Sequence, residues 1–163
     1  MTLDLTMKTF ALLVAVAISL VASFAAAQET EKVEPSAAEA KKFSGTWRMT
    51  SMSRDGQEVP NTEFDKVELI FADNQYTYVS QTAQRDQGTF KLDVSKKPHL
   101  IVTTKADDAD KGKAITRAYQ WKDDDTLTFV TPGTGEKAPK EFSAPKGSGR
   151  ELAVWTRDKT KPK

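Results

Sequence analysis

The sequence contains no cysteine and a single histidine. The first absence removes disulfides, thiolate metal ligands, thiol nucleophiles and lipidation of an N-terminal cysteine. The second leaves a zinc site, which needs three or four His, Cys or carboxylate ligands, without its usual donors. A charge imbalance is missing too: 24 Lys and Arg against 23 Asp and Glu give a net charge of +1. Nucleic acid draws a strongly basic face and anionic membranes draw a polybasic cluster, so neither is an expected partner. Gly133-Thr134-Gly135 is too short for a phosphate loop and lacks the Gly-Lys-Ser/Thr ending. No cofactor and no metal are therefore expected.

What is present begins with an address. Thr9–Ala27 is an uncharged stretch of 19 residues with an apolar centre, preceded by Lys8 and closed by Ala25-Ala26-Ala27. A positive flank, an apolar run and small residues at an A-x-A site form the pattern of a secretory signal, with cleavage expected between Ala27 and Gln28. An uncleaved anchor is the alternative, since 19 residues lie near the lower limit for spanning. Asp4 offsets Lys8 if translation starts at Met1, and a start at Met7 would give a more usual n-region. The expected organisation is a signal peptide over 1–27, a disordered lead-in over 28–35, one domain over 36–158 and a basic tail over 159–163. The expected compartment is periplasmic or secreted, with no stable membrane insertion after cleavage.

The domain reads as short strands punctuated by turns. Ser36-Ala37-Ala38-Glu39 is a capping-box pattern that opens a short helix through about Phe43, ended by Gly45. Strands are expected at Thr46–Ser53, Lys66–Phe71, Gln75–Ser80, Gly88–Asp93, His99–Thr104, Ala114–Trp121, Thr126–Val130 and Glu151–Arg157. Within them Val67, Leu69 and Phe71 share a face, as do Ile115, Arg117, Tyr119 and Trp121. About eight such strands suggest an antiparallel barrel or sandwich, and a closed barrel removes exposed edges from a domain that has no disulfide.

Specific residues then carry a resemblance. Gly45-Thr46-Trp47 opens the first strand after a short helix, and Arg157 ends the last. This resembles the lipocalin-like barrels, in which a Gly-x-Trp motif starts the first strand and a late Arg packs across the Trp ring. The order of Gly45-Thr46-Trp47-Arg48, Asp55–Pro60, Gly88–Asp93 with Lys97-Pro98, Tyr119, Asp125-Thr126-Leu127 and Arg157 is similar to small exported lipocalin-like proteins abundant in planctomycetes. It departs from them at Phe129, where a Cys is frequent, and at Ala138–Phe142. The resemblance implies an all-β lipocalin-like barrel with a short N-terminal helix, closed by Gly45, Trp47 and Arg157, and it implies no activity.

The chemistry sought beyond that is sparse. His99 follows Lys97-Pro98 at a strand start and reads as a rim histidine, without the neighbours a Ser-His-Asp arrangement needs. Asp107-Asp108-Ala109-Asp110 fails the calcium-loop template, and Asp123-Asp124-Asp125 reads as a hairpin turn. The aromatics could line a cup or fill the barrel, since eight strands enclose room for one small ligand or none. A mostly filled interior with a shallow mouth is expected. Tyr76, Tyr78, Arg117 and Tyr119 are the candidate contacts for a small apolar ligand at that mouth. If Arg117 faces inward, it is a buried cation in need of a partner, with a barrel Glu or Asp favoured over a ligand carboxylate. The functional expectations, in order, are a non-enzymatic ligand binder, a filled structural or protein-interaction module and, last, a hydrolase or isomerase using carboxylates and His99.

Overall fold

The computed structural model describes residues 35–106 and 111–161. The expected signal peptide and the acidic cluster Asp107–Asp110 lie outside these residues. Pro35–Phe43 forms α1. Proline suits the first helical turn because its missing N–H would be unpaired there anyway. Lys41 and Lys42 lie in the last turn, against the negative end of the helix dipole.

The strands follow in order: β1 Gly45–Arg54, β2 Gln57–Glu58, β3 Glu68–Ala72, β4 Gln75–Val79, β5 Arg85–Asp93, β6 His99–Lys105, β7 Ala114–Asp123, β8 Thr126–Thr131 and β9 Glu151–Arg157. Each pairs antiparallel with its neighbour in sequence from β3 onward, and β1 pairs with both β3 and β9. The result is a closed eight-strand lipocalin-like barrel, with β2 as a short appendage to β1. The expected strands match to within a few residues, β5 starting earlier than anticipated, at Arg85. Its β3–β4 turn places Asp73 and Asn74 at φ 46° and 62°. Two successive left-handed residues give the turn whose twist matches that of the flanking strands.

Closure is staggered. β1 meets β3 only over Gly45–Arg48, while it meets β9 over Trp47–Arg54. The seam beside the second half of β1 is crossed by the segment Val59–Val67, which contains a 3-10 turn at Asn61–Glu63. Val59 N donates to Met52 O at 2.9 Å, and Gln81 ties the segment down by accepting from Lys66 N and donating to Thr62 O.

One extra residue interrupts β1. Met49 pairs with Trp155 and Ser51 with Val154, which leaves Thr50 as a β-bulge. The Thr50 hydroxyl donates to the Val154 carbonyl at 3.2 Å. Beyond the bulge, Met52 and Arg54 face the interior, as Met49 does before it.

Close approach explains one glycine. A Cβ on Gly88 would lie 2.0 Å from the Thr104 carbonyl oxygen and 2.8 Å from the Tyr76 ring. The tyrosine occupies the room that a side chain on its cross-strand partner would need.

The core is concentrated at one end, where α1 sits. Phe43 and Trp47 are both 0 % exposed. The Phe43 ring meets Phe71, Tyr119 and Trp121 at centroid separations of 5.2, 5.1 and 4.9 Å, all edge-on. Edge-to-face pairs contribute about 0.5–1.5 kcal/mol each beyond the area they bury. The last residue of the helix thus plugs the barrel. The anticipated basic tail is also tied to the barrel wall as far as described: Asp158 N donates to Thr46 O, and Lys161 Nζ lies 2.7 Å from Glu68.

Candidate functional site

The closed end places Arg157 against Trp47. The two are register partners on β9 and β1, and Cζ of Arg157 lies 4.1 Å from the centroid of the Trp47 ring. A cation over an indole face contributes about 0.5–2 kcal/mol. The guanidinium also donates to Ser44 O at 2.6 Å, Lys42 O at 2.7 Å and Asp125 Oδ1 at 3.1 Å. Trp47 Nε1 donates to Phe43 O at 2.8 Å, so the indole satisfies a carbonyl at the helix C-terminus. Gly45, at φ 121°, carries the chain from helix to strand beneath them.

Tyr119 belongs to this end and not to a ligand mouth, which corrects the expectation made for it. It is 1 % exposed, and its hydroxyl is 3.4 Å from Glu39 Oε1. Burial pushes its pKa well up, and the Glu39 charge beside it adds to the effect. Trp121 Nε1 donates to the same Glu39 oxygen at 2.6 Å, and Lys42 pairs with the other at 2.9 Å. Burial opposes ionisation of Glu39, but the hydrogen bonds from Lys42 and Trp121 outweigh it and hold the pKa below the usual carboxylate range. His99 stands at the same rim, half-buried, 5.6 Å from Tyr119 between ring centroids and 3.0 Å from Lys97 Nζ. No group of three or more His, Cys, Asp or Glu among the described residues is placed to hold a metal ion.

The opposite half of the barrel is open, and more deeply than the shallow mouth expected above a mostly filled interior. It holds a cavity of about 420 Å³. That lies within the range of small-molecule pockets, about 300–1,000 Å³. Tyr76, Tyr78 and Arg117 line it, and so do Phe64 and Val67 from the segment that crosses the seam. Its walls are apolar toward the plug, where Phe71, Ile101 and Phe129 face it, and polar toward the mouth, where Asp86, Lys105, Arg54 and Glu151 gather.

Two ion pairs occupy the mouth. Arg54 Nε lies 2.7 Å from Glu151 Oε1, and Lys105 Nζ 3.0 Å from Asp86 Oδ2. Arg117 stands apart from both. Its Nε donates to the Thr131 hydroxyl at 3.1 Å and its Nη1 to the Thr103 hydroxyl at 2.6 Å. The barrel Glu or Asp expected as its partner is replaced by these two hydroxyls. Among the described residues no carboxylate lies within ion-pair distance of the guanidinium. Burial pulls the Arg117 pKa down, opposed by the charges of Tyr76, Glu151, Asp86 and Tyr78. An arginine does not give up its proton under such a shift. Burial also raises the Tyr78 pKa, with Glu151 contributing.

Two further polar atoms on the cavity wall are buried without a partner: Asp86 Oδ1 and Trp155 Nε1. A buried polar atom left unpaired costs about 1–3 kcal/mol. Neither residue stands out in the sequence. Asp86 sits in a polar run, and Trp155 reads as an ordinary core aromatic. The alternation of Glu151, Ala153, Trp155 and Arg157 along β9 is the one signal that would have placed Glu151 and Trp155 on a common inner face.

No helix among the described residues is long and apolar enough to cross a membrane. No family model, curated protein or solved structure matches the chain.

Proposed function

We propose that the protein is an exported, non-enzymatic member of the lipocalin-like class that carries one small, largely apolar molecule in the open half of its barrel. The observation that carries this reading is the cavity of about 420 Å³, walled by Phe71, Ile101 and Phe129 and reached past polar residues at the mouth. Apolar walls with a few placed polar groups are the usual make-up of a small-molecule site. Export is supported by the Thr9–Ala27 stretch and its Ala25-Ala26-Ala27 end. A non-enzymatic role is supported by the lone histidine, which is engaged with Lys97 and Tyr119 at the end of the barrel away from the cavity.

The test is native mass spectrometry of the protein purified from the exporting host without denaturant. A mass excess that disappears on unfolding is the expected result. If the apo mass is clean and tryptophan fluorescence does not respond to neutral apolar probes, the carrier reading fails. The barrel is then a structural or protein-interaction module.

A further inference from the structure

Within that carrier reading, on which it rests, we infer that the ligand is an amphiphile with a single carboxylate, and that Arg117 binds this headgroup. The cavity holds three cations and three carboxylates on its wall, and their pairing is uneven. Glu151 is taken by Arg54 and Asp86 by Lys105. Glu63, the third carboxylate, is exposed on the 3-10 turn and forms no ion pair with Arg117. Arg117 alone is met by neutral hydroxyls, from Thr103 and Thr131.

Those contacts do more than satisfy two donors. They come from the strands on either side of β7 and fix the plane of the guanidinium. Nη2 and the second Nη1 hydrogen remain for an acceptor. A planar monoanion matches that edge of the fork. A dianion does not suit the site, because Glu151 and Asp86 line the same cavity. The apolar wall toward Phe71 and Phe129 then receives the ligand's hydrocarbon body, with the acid held nearer the mouth.

The experiment compares a matched pair, decanoic acid and 1-decanol, each displacing the neutral fluorophore N-phenyl-1-naphthylamine from the purified protein. The acid is expected to bind roughly ten- to hundredfold more tightly than the alcohol, the effect of a charge-assisted contact. In R117M, with folding checked by circular dichroism, the alcohol and the fluorophore are expected to bind as before while the preference for the acid disappears. If R117M does not fold, R117Q keeps a hydrogen-bonding side chain between the two threonines and removes only the charge.

Equal binding of acid and alcohol by the unaltered protein overturns the headgroup assignment and leaves the carrier reading standing. A preference for the acid that survives in folded R117M or R117Q also overturns it. If the fluorophore, the acid and the alcohol all fail to bind, the carrier reading falls, and this inference falls with it.

Discussion

At the α1 end, the inward positions of β1, β3, β5 and β7 carry Trp47, Phe71, Phe90 and Trp121. At the mouth, inward positions of β1, β5, β7 and β8 carry Arg54, Asp86, Arg117 and Thr131. The backbone ladder is continuous between the two halves, so their difference lies in side chains. One half is a packed aromatic cluster whose polar atoms are engaged: Trp47 with Phe43 O, Trp121 with Glu39, and Arg157 with three carbonyls and Asp125. The other half keeps an open volume and, among the described residues, a cation without a carboxylate and two buried polar atoms without partners. The first arrangement stabilises the fold, and the second retains unsatisfied polar groups that a packed core would not tolerate. Close packing and open volume thereby lie at opposite ends of one barrel.

That division can be broken by substitution. Trp47→Ala removes a fully buried indole together with the seat of Arg157, and is expected to cost about 3–5 kcal/mol in urea unfolding. A cost below about 1 kcal/mol would mean that the α1 end does not dominate stability. An acid titration probes the same end more gently. Hydrogen bonds from Thr160 and the contact with Arg48 hold the Asp158 pKa at about 2, from an ordinary 3.8. Because the folded pKa lies below the unfolded one, this contribution is complete above about pH 4 and is lost as pH falls toward 2. The thermal midpoint of the wild type should therefore exceed that of D158N at pH 6, and the gap should close near pH 2. A gap that stays constant over that range would remove Asp158 from the closure. The smallest expected effect belongs to the mouth. Arg117→Met discards a buried charge that has no carboxylate partner, so unfolding free energy should change by no more than about 0.5 kcal/mol or should rise. A loss of 2 kcal/mol or more would make Arg117 part of the framework and blur the distinction between the ends.

Much of the framework is legible in the residues themselves. Ile115, Arg117, Tyr119 and Trp121 alternate, and all four face inward. Gly45, Trp47 and Arg157 sit where a barrel would close on itself. What alternation leaves open is depth. Arg117 and Tyr119 are neighbours on one face of one strand, yet one lines the cavity and the other lies in the plug. The boundary between them is set by Phe43, which comes from a helix and fills the space above Phe71 and Tyr119. Strand periodicity says nothing of a helical residue entering a barrel, so the filled interior is met at the α1 end while the expected shallow mouth is instead a deep cavity. The partners of Arg117 were hidden for a related reason. Thr103 and Thr131 are on different strands, 14 residues from it in either direction, and meet it only through the barrel register.

The bulge at Thr50 has a consequence for how such a barrel can change. A strand with strict alternation would carry its inner face from Trp47 and Met49 onward to Ser51 and Ser53. The inserted residue shifts the phase, so that Met52 and Arg54 point inward instead. The two halves of β1 are in this respect separate reading frames joined at one threonine. Residues ahead of the insertion answer to the aromatic plug, and those after it answer to the mouth. Substitutions at Met52 or Arg54 can therefore re-line the entrance without disturbing the frame that seats Trp47, whereas drawing Thr50 into regular pairing would turn two serines into the cavity and two lining residues out to solvent.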